Sequence, residues 1–282
     1  MNIGYPLVIL SMVIWGSIGI FVRYIDQPPE VIVFFRVFIT FVVLVILKLI
    51  KKKDISNNKL SIKEYSILSM SGLFIALNWF FFFRALKITT IASATMSYYV
   101  APVIVTILSI FLLKESIDKK TLVAVGLSFL GVVLMTLIGS QKGGNFSILG
   151  VVYGLVAALF YALVTISVKK LKNVSSNKII LFQMGISSLI FLPVIRHMKK
   201  FNVISLTLII ILSVIHTCVA LNFYFEGIKR IKVQHVGVLS YIDPLGAIIL
   251  GGLFFNEIPG IATIIGGGMI LSATYIVLKR KM

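Results

Sequence analysis

Residues 98–115 read YYVAPVIVTILSIFLLKE, and residues 240–257 read SYIDPLGAIILGGLFFNE. The second stretch repeats a tyrosine, a proline and a glutamate of the first at a constant distance of 142 residues. Farther out, Ala76-Leu77-Asn78 recurs as Ala220-Leu221-Asn222, so the similarity extends beyond one motif. Self-similarity over so long a distance indicates an internal structural repeat. The chain is therefore interpreted as two copies of one unit, residues 1–140 and residues 147–282.

The composition predicts an integral membrane protein. Hydrophobic residues make up 59% of the 282 residues and charged residues 13%, against roughly 25% charged residues in a soluble domain. A helix that crosses a bilayer needs roughly 20 mainly apolar residues. Ten segments meet this requirement, and they are numbered here as spans 1 to 10: 4–23, 29–50, 64–86, 90–113, 120–139, 147–168, 178–196, 203–227, 234–255 and 259–278. Since each copy holds an odd number of spans, the second copy is predicted to be inverted, giving an all-α membrane fold of two inverted five-helix repeats.

The basic residues predict the orientation of the chain. The formal net charge of +18 comes from 27 Lys and Arg against 9 Asp and Glu. Most basic residues fall in loops that share one side of the membrane, among them 51–53, 169–172 and 279–281. Because Lys and Arg are enriched in cytoplasmic loops, both termini are predicted to be cytoplasmic. The positive charge suits anionic membrane lipid, and nucleic acid is not an expected partner.

Two prolines interrupt matching spans. Pro102 falls within span 4 and Pro244 within span 9. A proline removes one backbone donor and crowds the carbonyl four residues back, and inside a membrane that carbonyl needs another partner. The prolines are predicted either to be paired kinks that let two helices move as gates or to be static bends. Their recurrence in both copies favours gates.

Positions at which the copies differ in polarity indicate what is specific to this chain. Asp243 stands opposite Ala101, and His216 stands opposite Gly72. A carboxylate in mid-span is costly and usually faces a cavity or an ion path. Asp243, with His216 at similar depth, is therefore predicted to carry a coupling proton. The alternatives are a carboxyl that bonds to backbone disturbed by Pro244 and a histidine of the core.

Deep aromatic and polar side chains predict a central substrate cavity. Inside a membrane the Tyr hydroxyl and the Trp N–H need partners. A cavity lined in this way suits amino acids or aromatic metabolites, and equally an organic cation held by cation–π attraction. Arg36 either extends outward to the interface or holds a substrate carboxylate. The predicted cavity residues are Trp15, Arg36, Asn78, Trp79, Tyr98, Tyr99, Tyr161, Asn222 and Tyr241.

Neither catalysis nor a cofactor is expected. The sequence has no P-loop, no HExxH, no GxSxG and no Cys/His spacing that would bind a metal. Glycines in span 5 (Gly126, Gly131) and span 10 (266–268) predict close helix contacts, either within the chain or in a homodimer through these two spans.

The chain resembles the EamA-type transporters of the drug/metabolite transporter superfamily. The residues that carry the resemblance are Trp15-Gly16-Ser17, Phe34-Phe35-Arg36, Arg84-Ala85-Leu86, Pro102-Val103 with Lys114-Glu115, and Pro244-Leu245 with Asn256-Glu257. The resemblance implies two inverted repeats and alternating access through a cavity between them. The expected function is proton-coupled export of small metabolites such as amino acids from a bacterium, by a multi-pass protein of the cytoplasmic membrane. Import of a quaternary ammonium compound such as choline is the alternative, and a lipid or lipid-linked sugar flippase is a more distant one.

Overall fold

A computed structural model describes residues 2–50, 60–89, 91–139, 147–255 and 261–279, and all regular elements in these ranges are helical. The α-helices of the first half are α1 (Gly4–Gly16), α2 (Ile18–Arg23), α3 (Pro29–Ile50), α4 (Ile62–Ile88), α5 (Ile91–Tyr98), α6 (Ala101–Leu113) and α7 (Lys119–Gly139). Those of the second half are α8 (Ile148–Lys170), α9 (Ser176–Phe191), α10 (Val203–Ile211), α11 (Ala220–Arg230), α12 (Val233–Ser240), α13 (Ile242–Phe255) and α14 (Ile261–Lys279). A 3₁₀ turn, Leu192–His197, extends α9, and a π-helical segment, Leu212–Val219, joins α10 to α11.

Many of the helical stretches can cross a membrane. Within the described residues, six are long enough and apolar enough: Gly4–Val22, Pro29–Ile50, Ile62–Ile88, Ile148–Lys170, Ser176–His197 and Val203–Arg230. Ala101–Leu113 and Ile264–Lys279 are shorter apolar helices. The prediction of a helical, multi-pass membrane protein is thereby confirmed. The number of ten spans, the inversion of the copies and the side on which the termini lie stay predictions.

Side-chain caps set the start of several helices. At α4 the Ser61 hydroxyl accepts from the Glu64 backbone N–H (3.2 Å), and the Glu64 carboxylate accepts from the Ser61 backbone N–H (2.8 Å). Ser147, Ser175 and Asn202 cap α8, α9 and α10 in the same manner, each accepting from a backbone N–H of the first turn. Since the first N–H groups of a helix lack partners within it, these polar residues fix where the apolar stretches begin.

Spans 4 and 9 are each interrupted by a short turn next to the proline. One helix ends at Tyr98 and the next begins at Ala101, so Pro102 stands in the first turn of α6. In the second half of the chain α12 ends at Ser240, and Pro244 stands in the first turn of α13. A backbone N–H has no helical partner at the start of a helix, so proline is tolerated there. The sequence predicted the place of the disturbance, and the structure gives its form.

The two breaks contact each other. The Tyr241 hydroxyl donates to the backbone carbonyl of Tyr99 at 2.9 Å, and the Tyr241 side chain is fully buried. Nearby, a Cβ on Gly237 would lie 3.1 Å from the Pro102 carbonyl oxygen, so glycine permits the close approach of α12 to α6. A carbonyl exposed by the break in one half of the chain is therefore satisfied by a side chain from the break in the other half.

Helices α7 and α14, which hold spans 5 and 10, pack side by side within the chain. A Cβ on Gly131 would come within 2.6 Å of the Gly266 carbonyl oxygen. By contrast, a Cβ on Gly126 or on Gly268 would meet nothing within 4 Å. Gly131 thus serves a contact inside the chain, and a homodimer through these helices, which stays a prediction, would use their outer faces.

The substitution Gly131→Ala is expected to lower the unfolding free energy in detergent by about 1–3 kcal/mol, because the added methyl group would overlap the Gly266 carbonyl. Gly126→Ala, on the same helix, is the matched control and should stay within about 1 kcal/mol of the unmodified protein. Thermal unfolding of the two purified variants measures the difference. Equal melting temperatures would contradict the assigned packing of α7 on α14.

Candidate functional site

A cavity of about 410 Å³ lies between helices of both halves of the chain. It extends from the breaks near Pro102 and Asp243 to the end of the bundle at Val22 and Pro29. Nine aromatic side chains line it: Trp15, Trp79, Phe82, Phe83, Tyr98, Tyr99, Tyr161, Tyr224 and Phe225. The volume lies within the usual range for sites that bind small molecules.

Most of the residues predicted from the sequence lie at this cavity. Its lining includes Trp15, Arg36, Asn78, Trp79, Tyr98, Tyr99, Pro102, Tyr161, His216 and Asp243. Asn78 is partly committed to the fold, because its amide donates to the Ala157 carbonyl of α8 at 2.8 Å. Their roles in binding, coupling and gating stay predictions.

Three predicted residues lie elsewhere. The Asn222 amide donates to the Asn177 side chain of α9 at 2.6 Å, away from the cavity. Tyr241 is enclosed by Val132 and Ile270, and its hydroxyl is used on the Tyr99 carbonyl. Pro244 is absent from the lining. The expectation that Asn222 and Tyr241 line the cavity is therefore corrected, since each has its hydrogen bond in a contact between helices.

Asp243 brings a carboxylate to the cavity from the first turn of α13. A negative side chain is favoured there by the partial positive charge of a helix N-terminus. Gly16 permits α1 to approach, because a Cβ at that position would lie 2.8 Å from the Asp243 carbonyl oxygen. Among the described residues the carboxylate has neither a hydrogen bond nor an ion pair, so the alternative in which it bonds to backbone near Pro244 gains no support.

Arg36 brings a guanidinium to the same cavity from α3. Its Nε donates to the Thr217 hydroxyl at 3.2 Å, and its Cζ lies 6.0 Å from the centre of the Trp79 ring. The side chain thus points across the bundle rather than outward to the interface. No carboxylate of the described residues lies within ion-pair distance of it.

The π-helical segment Leu212–Val219 places two polar residues at the cavity. The Thr217 hydroxyl donates to the Leu212 carbonyl five residues back at 3.0 Å. Such wide turns are rare and recur at functional sites. Here His216 and Thr217 of the segment line the cavity together with Leu221 of α11, while Asn222 does not. Thr217 was not singled out from the sequence, because a threonine in an apolar run carries no sign of a π-helix.

His216 ties this segment to the break between α1 and α2. Its Nε2 lies 2.9 Å from the Ser17 hydroxyl, which itself donates to the Ile14 carbonyl at 2.7 Å. The Ser17 hydroxyl and the His216 ring thus share a hydrogen bond between α1–α2 and the π-helical segment. The Trp15 indole N–H donates to the His216 carbonyl at 2.8 Å. These contacts give His216 a structural task in addition to any part in coupling.

Hydroxyl groups close the cavity toward the other end of the bundle. The Tyr161 and Tyr224 hydroxyls are 2.5 Å apart, and Ser240 and Thr165 lie within hydrogen-bond distance of this pair. All four residues come from helices of the second half of the chain.

Beyond this layer the bundle is tightly packed. Lys169 donates to the carbonyls of Ile228 and Ile231 at the end of α11, and the Glu115 carboxylate accepts from the backbone N–H of Val233 at 3.1 Å. Tyr5 and His235 are joined by a 2.7 Å hydrogen bond. This end, called the closed end, holds the start of α1 and the α11–α12 connection. Glu257, the counterpart of Glu115 in the second copy, lies outside the described residues.

Comparison with known proteins finds the same family along almost the whole chain. Residues 2–137 and 148–279 match the model of the EamA-like transporter family. An uncharacterized transporter of Archaeoglobus fulgidus is 28% identical, over 98% of this chain and 96% of that protein. The uncharacterized transporter YxxF of Bacillus subtilis is 27% identical, over 97% and 88% of the two chains. Protein RarD of Salmonella typhi is 23% identical, over 91% and 88%.

One solved crystal structure has the same fold. It superposes with a TM-score of 0.83 and 18% sequence identity, and the match covers 98% of each chain. At this level of identity the likeness concerns the fold alone.

The substitution Tyr224→Phe is expected to lower the unfolding free energy by about 1 kcal/mol, since Tyr161 and Thr165 each lose a hydrogen-bond partner. Tyr275→Phe is the control, because the Tyr275 side chain is 61% exposed on the outside of the bundle. Thermal unfolding in one detergent compares the two. A Tyr224→Phe variant as stable as the control would argue against the hydroxyl layer.

Proposed function

The chain belongs to the EamA-like transporter family, and on this premise we propose that it is a secondary active transporter of small metabolites such as amino acids. In this proposal it exports its substrate across the cytoplasmic membrane of a bacterium in exchange for protons. The two copies are inverted five-helix repeats, and both termini are cytoplasmic. The cavity between the two halves is the site that faces each side in turn.

The single observation that carries the proposal is a cavity that reaches one end of the bundle and is shut off from the other. Toward the connection between α2 and α3, the lining includes Val22 and the exposed Pro29. Toward the closed end, the hydroxyl layer and the contacts of Lys169 and Glu115 block passage. One accessible end and one blocked end is the arrangement that alternating access requires.

The broken helices supply the moving parts in this proposal. The peptide groups between α5 and α6, and between α12 and α13, can change their angles without breaking a continuous helical hydrogen-bond ladder. Pro102 and Pro244 fix the residue at which α6 and α13 begin, while the angle of each helix to the one before it changes. Both breaks lie at the inner limit of the cavity, where a rotation changes which end is accessible.

Asp243 is proposed to carry the proton. It is the carboxylate of the described residues that lines the cavity, and it has no fixed partner there. Substrate and proton can therefore compete for it, and competition for one group is sufficient to couple their movements in opposite directions.

In proteoliposomes, Asp243→Asn is expected to abolish amino-acid transport driven by a pH gradient and to retain exchange of substrate for substrate, because the amide cannot take up a proton. Asp26→Asn is the control, since Asp26 lies exposed outside the cavity, paired with Lys199. Radiolabelled amino-acid flux with and without a pH gradient measures the effect. A fully coupled Asp243→Asn variant would remove Asp243 from the mechanism.

A second candidate function, uptake of a quaternary amine such as choline, is favoured by the aromatic wall beside Asp243. Rings that surround a carboxylate attract a cation that cannot donate hydrogen bonds. If this function is correct, saturable choline uptake should disappear in both Asp243→Asn and Trp79→Ala. Choline uptake that persists in both variants, or that is absent from the unmodified protein, would dismiss this candidate.

A further inference from the structure

Two opposite charges line the cavity, and the structure gives neither of them a charged partner. The Arg36 guanidinium and the Asp243 carboxylate do not pair with each other, and no other described residue lies within ion-pair distance of either. A charge in the interior of a membrane protein normally pairs with another group or faces a functional cavity. The molecule that occupies this cavity is therefore expected to pair a negative group with Arg36 and a positive group with Asp243.

The Arg36 side chain is held in place on two sides. Thr217 accepts the Nε–H, and its own proton is used on the Leu212 carbonyl, so the threonine orients the guanidinium. The Thr40 hydroxyl lies within hydrogen-bond distance of the Arg36 carbonyl (2.7 Å) and of the Ser213 carbonyl (2.8 Å), joining α3 to the π-helical segment. Trp79 lies beside the guanidinium. Among the described residues the terminal Nη groups have no hydrogen-bond partner.

We propose that Arg36, positioned by Thr217 of the π-helical segment, binds a carboxylate group of the transported substrate. This inference rests on the proposed transport function and adds a subsite to it. The free N–H groups of a guanidinium form a planar fork that matches the two oxygens of a carboxylate. Thr217 is a positioning residue, because its hydroxyl proton is already used within the π-helical turn.

The position of Asp243 in the same cavity limits the class of substrate further. A ligand that places its carboxylate at Arg36 and its amine at Asp243 gives each of the two charges an opposite partner. A cation without a carboxylate leaves Arg36 unpaired and adds a positive charge to its surroundings. The subsite therefore selects zwitterions over simple amines and over choline.

Both tryptophans of the chain, Trp15 and Trp79, line the cavity, so intrinsic fluorescence reports its occupancy. The probes are aliphatic and do not fluoresce: leucine and ε-aminocaproate as zwitterions, isocaproate and acetate as carboxylates, and isoamylamine as the amine. The unmodified protein should show a saturable change with the carboxylate-bearing probes. In Arg36→Gln their affinity should fall roughly ten- to hundredfold, the effect of losing a charge-assisted hydrogen bond, and that of isoamylamine should not fall.

Matched variants separate binding from folding. Arg84→Gln makes the same change at an exposed arginine and should leave all affinities unchanged. Thr217→Val should lower the affinity for the carboxylate-bearing probes and leave that for isoamylamine unchanged. Loss of a merely structural contact would lower the affinity for all probes. If Arg36→Gln does not fold, Arg36→Lys keeps the charge without the fork and should bind carboxylates with intermediate affinity.

Two results would overturn the subsite. The first is that no carboxylate-bearing probe changes the fluorescence of the unmodified protein. The second is that whichever Arg36 variant folds, Gln or Lys, binds the carboxylate-bearing probes as tightly as the unmodified protein does. Counterflow of radiolabelled substrates in proteoliposomes tests the transport function separately. Counterflow of amines alone would reject the subsite and leave transport standing. Saturable carboxylate binding that depends on Arg36, without any counterflow, would support the subsite and reject the transport function.

Discussion

The hydrogen bond from the Tyr241 hydroxyl to the Tyr99 carbonyl is the interaction on which the centre of the molecule depends. Hydrocarbon offers no partner to a backbone carbonyl released from a helix, so a broken helix is stable in a membrane only where protein or water supplies one. Here the break in one half is satisfied by a side chain from the break in the other. The two irregular regions are therefore adjacent by necessity, and the cavity forms beside them.

The same logic extends around the cavity. The α1–α2 break at Ser17, the π-helical segment and both proline breaks all contribute lining residues or border them, and each is held by a polar side chain. The Ser17 hydroxyl is hydrogen-bonded to the His216 ring, and the Trp15 indole N–H donates to the His216 carbonyl. The Thr217 hydroxyl accepts a hydrogen bond from Arg36 Nε. Irregular backbone brings polar groups to the interior of the bundle. Some of them form hydrogen bonds that hold the helices together, and the others face the cavity and form the candidate site.

The amino-acid sequence was sufficient to predict a helical, multi-pass membrane protein and to single out most of the residues that line the cavity. Apolar length predicted the helices, and comparison of the two similar stretches singled out Pro102, Pro244 and Asp243. Asn222 was misplaced because its amide bonds to Asn177 of α9, and the sequence does not specify which helix packs against that face of α11. Tyr241 was misplaced because its hydroxyl donates to the Tyr99 carbonyl, which the break in span 4 leaves without a helical partner. Apolar periodicity does not specify which helices become neighbours, so this contact could not be predicted.

The π-helical segment also bears on how such a protein can change over evolutionary time. A wide turn holds one residue more than an α-helical turn in nearly the same length, so a single deletion between 212 and 219 could restore a regular helix and leave α10 in place. Because the wide turn absorbs the extra residue, α11 would also keep its orientation, and the change would fall on the side chains of residues 212–219 themselves. A length change inside this segment would therefore alter the cavity wall at His216 and Thr217 in one step and leave the lining residues of α11 unchanged.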